Sequence, residues 1–227
     1  MFELFTPDFW SQYGTLLLDE TINTLIMLFF STVLAYLIGL PLGVLLTLTQ
    51  EHGICPNKWV NRILGWIINI GRSLPFVILM VVLLDFTKLL VGTKMGVRGA
   101  IPPLVISAAP FIARMVETSL AEVDPGVVEA AQSMGASTFQ IVWKVYLPEA
   151  TPSLILGGSI SVITILAYIA IAGIIGAGGL GDLAIRYGYY RRVPSMLLAT
   201  VLLLIILVQI IQSIFSRLSV QVDKRLK

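Results

Sequence analysis

Few side chains in this 227-residue chain are equipped for covalent or acid–base chemistry, and their spacing excludes most of it. His52 is the only histidine and Cys55 the only cysteine. His52 sits in a short loop, which makes a Ser/His pair within an apolar interior unavailable, and a multi-histidine zinc site and an intrachain disulfide both lack a partner. Gly176, Gly178 and Gly181 satisfy the G-x-G-x-x-G spacing that cradles a dinucleotide. That chemistry requires a preceding strand and a soluble βαβ setting. Here the glycines end an apolar stretch, so a tight turn that lets helices approach closely is the expected role. No G-x-x-x-x-G-K-[ST] segment occurs, so a Walker A nucleotide site is absent from this sequence. No catalytic residue and no metal site emerges from the sequence.

Two features remain as candidates for handling a solute. Arg72 sits alone in an apolar stretch, where a charge is costly and normally faces a bundle interior or water. A gate or pathway residue, an interhelical anchor and a side chain snorkelling to the headgroups are the three readings. Gly157, Ser161, Thr164 and Tyr168 fall at i, i+4, i+7 and i+11, one face of a helix. Such a stripe lines a polar route or lets membrane helices pack closely. Tyr168 is the least natural packing residue of the four.

The elements that would position these residues follow from composition. Apolar residues make up 57% of the chain and charged residues only 12%, with mean hydropathy +0.92. A soluble domain carries about 25% charged residues, so a soluble enzyme and a disordered chain are both excluded. The net charge of +2 is too small to point to nucleic acid. Crossing a hydrocarbon core of roughly 30 Å takes about 20 apolar residues as a helix. Five stretches qualify, with expected spans at about 19–49, 62–85, 98–121, 151–178 and 193–217. The third is carried through Arg114 and Glu117. The fold expected is an all-α integral membrane protein of five transmembrane helices, a single transmembrane domain over residues 1–227. Pro75 is expected to bend the second span locally and free a carbonyl.

Basic residues set the orientation. Residues 1–57 contain no Lys or Arg, whereas the segment after the last span carries Arg217, Lys224, Arg225 and Lys227. By the positive-inside rule the N-terminus lies outside and the C-terminus in the cytoplasm, which five spans satisfy. Lys88, Lys94 and Arg98 run against that rule, in an external loop expected over residues 85–98. The N-terminus lacks a basic region and does not read as a signal peptide. Phe2, Phe5, Phe9 and Tyr13 recur at helical spacing and read as an interfacial segment in the aromatic belt.

This topology puts residues 114–149 in the cytoplasm, with two basic and five acidic side chains. Asp124-Pro125 is an N-cap followed by proline at the first helical position. Gly135 stops that helix, and Ser137 caps a second one ending at Leu147-Pro148. The product is a compact knob of two short helices over about 122–148. The net charge of −3 over residues 114–149 is wrong for resting on an anionic inner leaflet and right for a protein partner with a basic cleft.

Glu129-Ala130-Ala131, three residues, Gly135, nine residues, Val145, one residue and Leu147-Pro148 resembles the cytoplasmic signature of ATP-binding-cassette importer permeases, the type I transmembrane subunit. Val145 stands where the family usually has Ile. The stretches 71–76, 86–88 with 91–93, 109–117 and 176–181 look most like the methionine branch, the last being shared with osmoprotectant and phosphonate permeases. The resemblance implies type I importer permease architecture, in which the knob is a coupling helix seated on a cytoplasmic ATPase. It places Glu129, Ala130, Ala131, Gly135, Leu147 and Pro148 at or near that docking surface. Arg72, Ser161, Thr164 and Tyr168 become candidates for the translocation pathway.

The implied function is import of an amino acid, methionine in D or L form, by a non-enzymatic subunit. Other small solutes stay open at this point: a polar amino acid, an osmoprotectant or a phosphonate. The implied partners are a second copy of the chain, two ATPase subunits holding ATP and Mg, an external substrate-binding protein and the lipid bilayer. No cofactor is expected on this chain, and the expected location is a bacterial inner membrane. An ion-coupled secondary transporter is the alternative from another class. It is disfavoured because no Asp or Glu lies within the apolar runs 25–48, 63–84, 153–180 and 193–216 and no internal repeat is evident.

Overall fold

The computed structural model describes residues 6–222, and among these the elements are helical, with no strand. They run α1 (Pro7–Thr49), α2 (Lys58–Ser73), α3 (Phe76–Val82), α4 (Leu84–Val91), α5 (Gly96–Ala121), α6 (Pro125–Ser133), α7 (Thr138–Ile141), α8 (Leu147–Ala172), α9 (Gly179–Leu183) and α10 (Pro194–Val222). A π-helical turn, Val142–Tyr146, joins α7 to α8. Four helical runs are long and apolar enough to cross a membrane: Pro7–Thr49, Gly96–Ala121, Thr138–Ile175 and Pro194–Val222. A fifth span arises if α2 and α3 are counted as one broken span.

That break departs from the local bend expected at Pro75. Helix α2 ends at Ser73 and α3 restarts at Phe76, turned by 99°. The cause is local. Pro75 is extended (φ −58°, ψ 129°), and a residue before proline, here Leu74, is pushed away from helical geometry. A second departure lies in residues 85–98, read as a loop. Residues 84–91 form α4, with Asp85 in its first turn, Thr87 buried and Gly92 closing it in the left-handed conformation.

The chain forms two compact units. Unit one comprises Met1–Leu34, Leu74–Ser107 and Val162–Gln212. Its core includes Phe9, Leu17, Leu183, Met196 and Ala199, with Tyr13 and Tyr187 packed against them. Phe9 and Tyr13 thus belong to a protein core rather than to the interfacial belt expected of them. They recur with Leu17 at four-residue spacing on a helix already under way, and that face meets α9 and α10. Phe2 and Phe5 lie outside the described residues, as do Lys224, Arg225 and Lys227.

Unit two comprises Ala35–Ser73, Ala108–Ser161 and Ser213–Lys227. Here α1 and α5 approach closely through glycines one turn apart. A methyl group at Gly39 would lie 2.8 Å from the Ala109 carbonyl oxygen, and one at Gly43 would lie 2.6 Å from that of Ala113. In lipid, where apolar side chains gain little from meeting each other rather than acyl chains, such small-residue contacts hold helices together. Leu46, Ile68 and Ala113 form the core where α1, α2 and α5 meet.

Candidate functional site

The knob is built as its capping residues require. Asp124 accepts a hydrogen bond from the Gly126 amide at 2.8 Å, with Pro125 next in line. At the far end Gly135 takes φ +77°, a left-handed conformation that costs an L-residue about 1–2 kcal/mol. This lets the Gly135 amide donate to the Gln132 carbonyl (2.9 Å) and the Ala136 amide to the Ala131 carbonyl (3.1 Å). Ser137 and Gln140 then cap α7 reciprocally: the Gln140 amide donates to Ser137 Oγ (3.3 Å), and the Ser137 amide donates to Gln140 Oε1 (2.9 Å). Two helices at a fixed turn result, held by backbone geometry rather than by a large core.

The outward face of the knob is unusual for a solvated loop. Glu129, Ala130, Gly135 and Pro148 are exposed and Leu147 is half-buried. Around them the apolar side chains Met134 (80% exposed), Phe139 (71%) and Trp143 (57%) stand out, the last two with ring centroids 6.0 Å apart. Ala131, grouped with these residues on sequence, is buried at 5% and supports α6 from behind together with Val128. Glu129 also borders a cavity of about 240 Å³ shared with Gln50, His52, Gln132 and Tyr146.

The pathway candidates lie in different surroundings. Arg72 is exposed in the last turn of α2, just before the break. Ser161, in unit two, has no accessible surface, and its hydroxyl donates to the Gly157 carbonyl at 2.8 Å. That is the back-bond of a serine to its own helix, one turn earlier. Thr164 and Tyr168 belong to unit one and are half-buried. The Tyr168 ring lies flat on Phe76, with centroids 4.7 Å apart and planes 7° from parallel. Phe76 is the first residue after the break, so Tyr168 fixes where the redirected half of the span lies.

Two polar clusters escaped the sequence reading. In unit one the segment after α8 runs through Gly176, Gly178 and Gly179, all at positive φ, into α9. Glu20 Oε2 accepts from the Gly179 amide at 2.6 Å, and Thr24 Oγ1 accepts from the Leu180 amide at 2.9 Å. Helix α1 thereby caps α9 from a distance. Asp182 follows in α9 and pairs with Arg186 at 2.6 Å. Burial holds its carboxyl above the usual value; Arg186 pulls it back and the nearby Glu20 charge adds to the rise.

In unit two Arg114 Nη1 donates to Glu117 Oε2 at 2.6 Å, while its Nη2 donates to Asn69 Oδ1 at 3.0 Å and to the Gly65 carbonyl at 3.5 Å. Gln50 Nε2 donates to the other Glu117 oxygen at 2.9 Å. The signal available in the sequence was a charge pair three residues apart in an apolar helix, read only as the continuation of a span. No group of three or more potential metal ligands occurs among the described residues.

Residues 39–227 match the profile of the family described as "Binding-protein-dependent transport system inner membrane component". This chain belongs to that family. As an inner membrane component it is a multi-pass transport subunit and not an enzyme. A relative from Vibrio cholerae, "Probable D-methionine transport system permease protein MetI", is 50% identical over 210 residues, covering 92% of this chain and 93% of its own length. The Bacillus subtilis "Methionine import system permease protein MetP" is 47% identical, covering 80% of this chain and 82% of its own. Among solved structures, a chain of "Inward facing conformations of the MetNI methionine ABC transporter" superposes with a TM-score of 0.92 at 43% identity, covering 94% of this chain and 99% of that one. The all-helical permease fold of this inner membrane component is shared with that structure.

Proposed function

We propose that this chain is the permease subunit of an ATP-driven importer that carries methionine, in D or L form, across a bacterial inner membrane. The observation that carries this reading is the 50% identity, along almost the whole of both chains, to a D-methionine transport permease. The solute proposed follows from the relatives; the mode of driving follows from the site. Two copies of the chain form the route between them, because five spans are few to enclose a solute alone. Each copy seats its knob on one ATPase subunit, and an external binding protein delivers the solute.

Glu129, Ala130, Gly135 and Pro148 form the docking surface, with the exposed Met134, Phe139 and Trp143 completing it. Ala131 and Leu147 shape it from within and at its edge. ATP and Mg, held by the ATPases, close them on one another, and the knobs pass that motion to the helices. The bundle then exchanges inward-facing and outward-facing states, each ligand biasing the state it binds more tightly. Arg72, Thr164 and Tyr168 are the side chains assigned to the route. Ser161, one turn before Thr164 on the same helix, is the fourth side chain assigned to it. The N-terminus lies outside and the C-terminus in the cytoplasm. Lys94, one of the cations that runs against this orientation, is paired with Asp85, which lowers the Asp85 carboxyl below its usual value.

The test is uptake of labelled methionine by cells lacking this gene. Restoration by the chain, and its loss on adding excess unlabelled methionine, are expected. Restored uptake of a different solute with none of methionine would overturn the assignment.

A further inference from the structure

The Arg114 cluster adds a polar junction where three elements of unit two, α1, α2 and α5, already meet. Apolar contacts between membrane helices fix register weakly, because lipid competes for the same surfaces. Polar links across helices are specific by comparison. The arginine fork is what makes this one a junction. One nitrogen holds Glu117 on the same helix, while the other holds Asn69 and the Gly65 carbonyl on α2. Glu117 in turn has its second oxygen engaged by Gln50, at the end of α1. The pair is mostly shielded, with side chains 27% and 13% exposed. A shielded pair is weak evidence for stability, since apolar replacements of similar volume are often neutral. What it supplies here is a fixed linkage.

Two routes lead from the knob to α2. Helix α5 runs into α6 through residues 122–124, with the Val123 amide donating to the Leu120 carbonyl at 3.3 Å. The second route is the turn after α1. It is folded back on itself: the Cys55 amide donates to the Leu48 carbonyl (3.0 Å) and the Asn57 amide to that of Thr49 (3.1 Å). Asn61 Nδ2 fastens it to the Leu46 carbonyl at 2.8 Å. Cys55 Sγ lies 3.5 Å from Thr138 Oγ1 at the start of α7. The first route meets α2 through Arg114, four residues before its break, with Glu117 tied to the end of α1 by Gln50; the second reaches α2 at its start, through Asn61.

We propose that Arg114 and Glu117, with Gln50 and Asn69, are positioning residues that deliver the knob's displacement to α2 and so to the broken span. This rests on the docking role proposed for the knob and assigns the step after it. Coupling through such a chain of contacts is an energetic claim and needs an energetic test. The complex of permease, ATPase and binding protein is reconstituted in liposomes, and methionine uptake and ATP hydrolysis are measured separately. Asn69→Ala removes the acceptor on α2 from an exposed position. Arg114→Lys keeps the charge but loses the fork. Each is expected to lower solute moved per ATP about fivefold or more, with the hydrolysis rate changed by less than about twofold. Asn69→Asp, which still accepts from Arg114, restores the ratio.

A second readout is independent of the solute. In a Cys55→Ser background, spectroscopic labels at Ile70→Cys on α2 and at Lys144→Cys, in the turn that follows α7, report ATP-dependent movement of the two elements. In Asn69→Ala the movement of the turn persists and the α2 movement is lost. An unchanged transport ratio, or an α2 movement like that of the parent protein, overturns the proposal. So does a parallel fall of transport and hydrolysis. If the parent complex does not move methionine, it is the proposed solute that fails, and the label readout still decides the linkage. If that turn does not respond to ATP in the parent, the docking role fails and this inference falls with it.

Discussion

Glu20 offers the clearest quantitative handle on unit one. Its carboxylate accepts from the Gly179 amide at 2.6 Å, at the start of α9. A hydrogen bond to a charged group contributes about 1.5–3 kcal/mol, against about 0.5–1.5 for a neutral one. Glu20→Gln keeps an oxygen acceptor and loses the charge, so about 1 kcal/mol is expected to go. Glu20→Ala removes the acceptor and leaves a part-buried N–H unsatisfied, a loss of about 2–3 kcal/mol. At 1.4 kcal/mol per tenfold, local opening of the segment becomes about fivefold more frequent in the first variant and about 30- to 150-fold in the second. Hydrogen exchange followed by mass spectrometry over residues 176–183 reads this directly. Thr24→Val, which removes the acceptor for Leu180, serves as a matched control and raises exchange at the same peptide. Exchange in Glu20→Ala equal to that of the parent protein would refute the reasoning.

Three further perturbations follow from the same geometry. Tyr168→Phe keeps the stack on Phe76 and Tyr168→Ala removes it, so only the alanine variant loses about 0.5–1.5 kcal/mol of thermal stability; uptake falls in both if the hydroxyl faces the route, and full uptake by the phenylalanine variant rules that out. Gly135→Ala adds a methyl that meets nothing within 4 Å, so its cost is the backbone term alone, about 1–2 kcal/mol. Combined with Glu129→Gln it is expected to insert normally, lose co-purification with the ATPase and uncouple uptake from hydrolysis; normal transport and co-purification would sink the docking role. The raised carboxyl of Asp182 means that the folded state holds its proton more tightly than the unfolded chain does. Stability therefore shifts in favour of the parent protein over Asp182→Asn as pH falls from neutrality into the carboxylate range, read from melting temperatures, and a gap that widens with rising pH would contradict the assignment.

What the sequence made legible was local. Asp124, Pro125, Gly135 and Ser137 act within a few residues of themselves, so their types and spacing announced the knob before its geometry was known. The membrane-length helices were legible for a similar reason, since lipid admits few ways to satisfy a backbone. Pairings between distant positions were not. Glu20 meets Gly179 across 159 residues, and Arg114 meets Asn69 across 45. Nothing in one sequence says which polar side chains will meet. The same ignorance sent Phe9 to the lipid interface, because an aromatic stripe looks alike whether its partner is a headgroup or α10. It also left Ser161 poised between route and packing; its hydroxyl bonds the Gly157 carbonyl one turn back on its own helix and has no accessible surface. Helix α4 was missed because eight residues with two charges have neither the length nor the hydropathy of a span.

The central claim is that this chain moves methionine when an ATPase works on its knob. The most direct measurement is accumulation of labelled D- and L-methionine in liposomes holding the complete complex, with ATP supplied on the side of the ATPase. The account predicts accumulation that needs ATP, needs the binding protein and is lost in the Glu129→Gln/Gly135→Ala variant. Methionine accumulating without ATP, or undiminished in that variant, would contradict it.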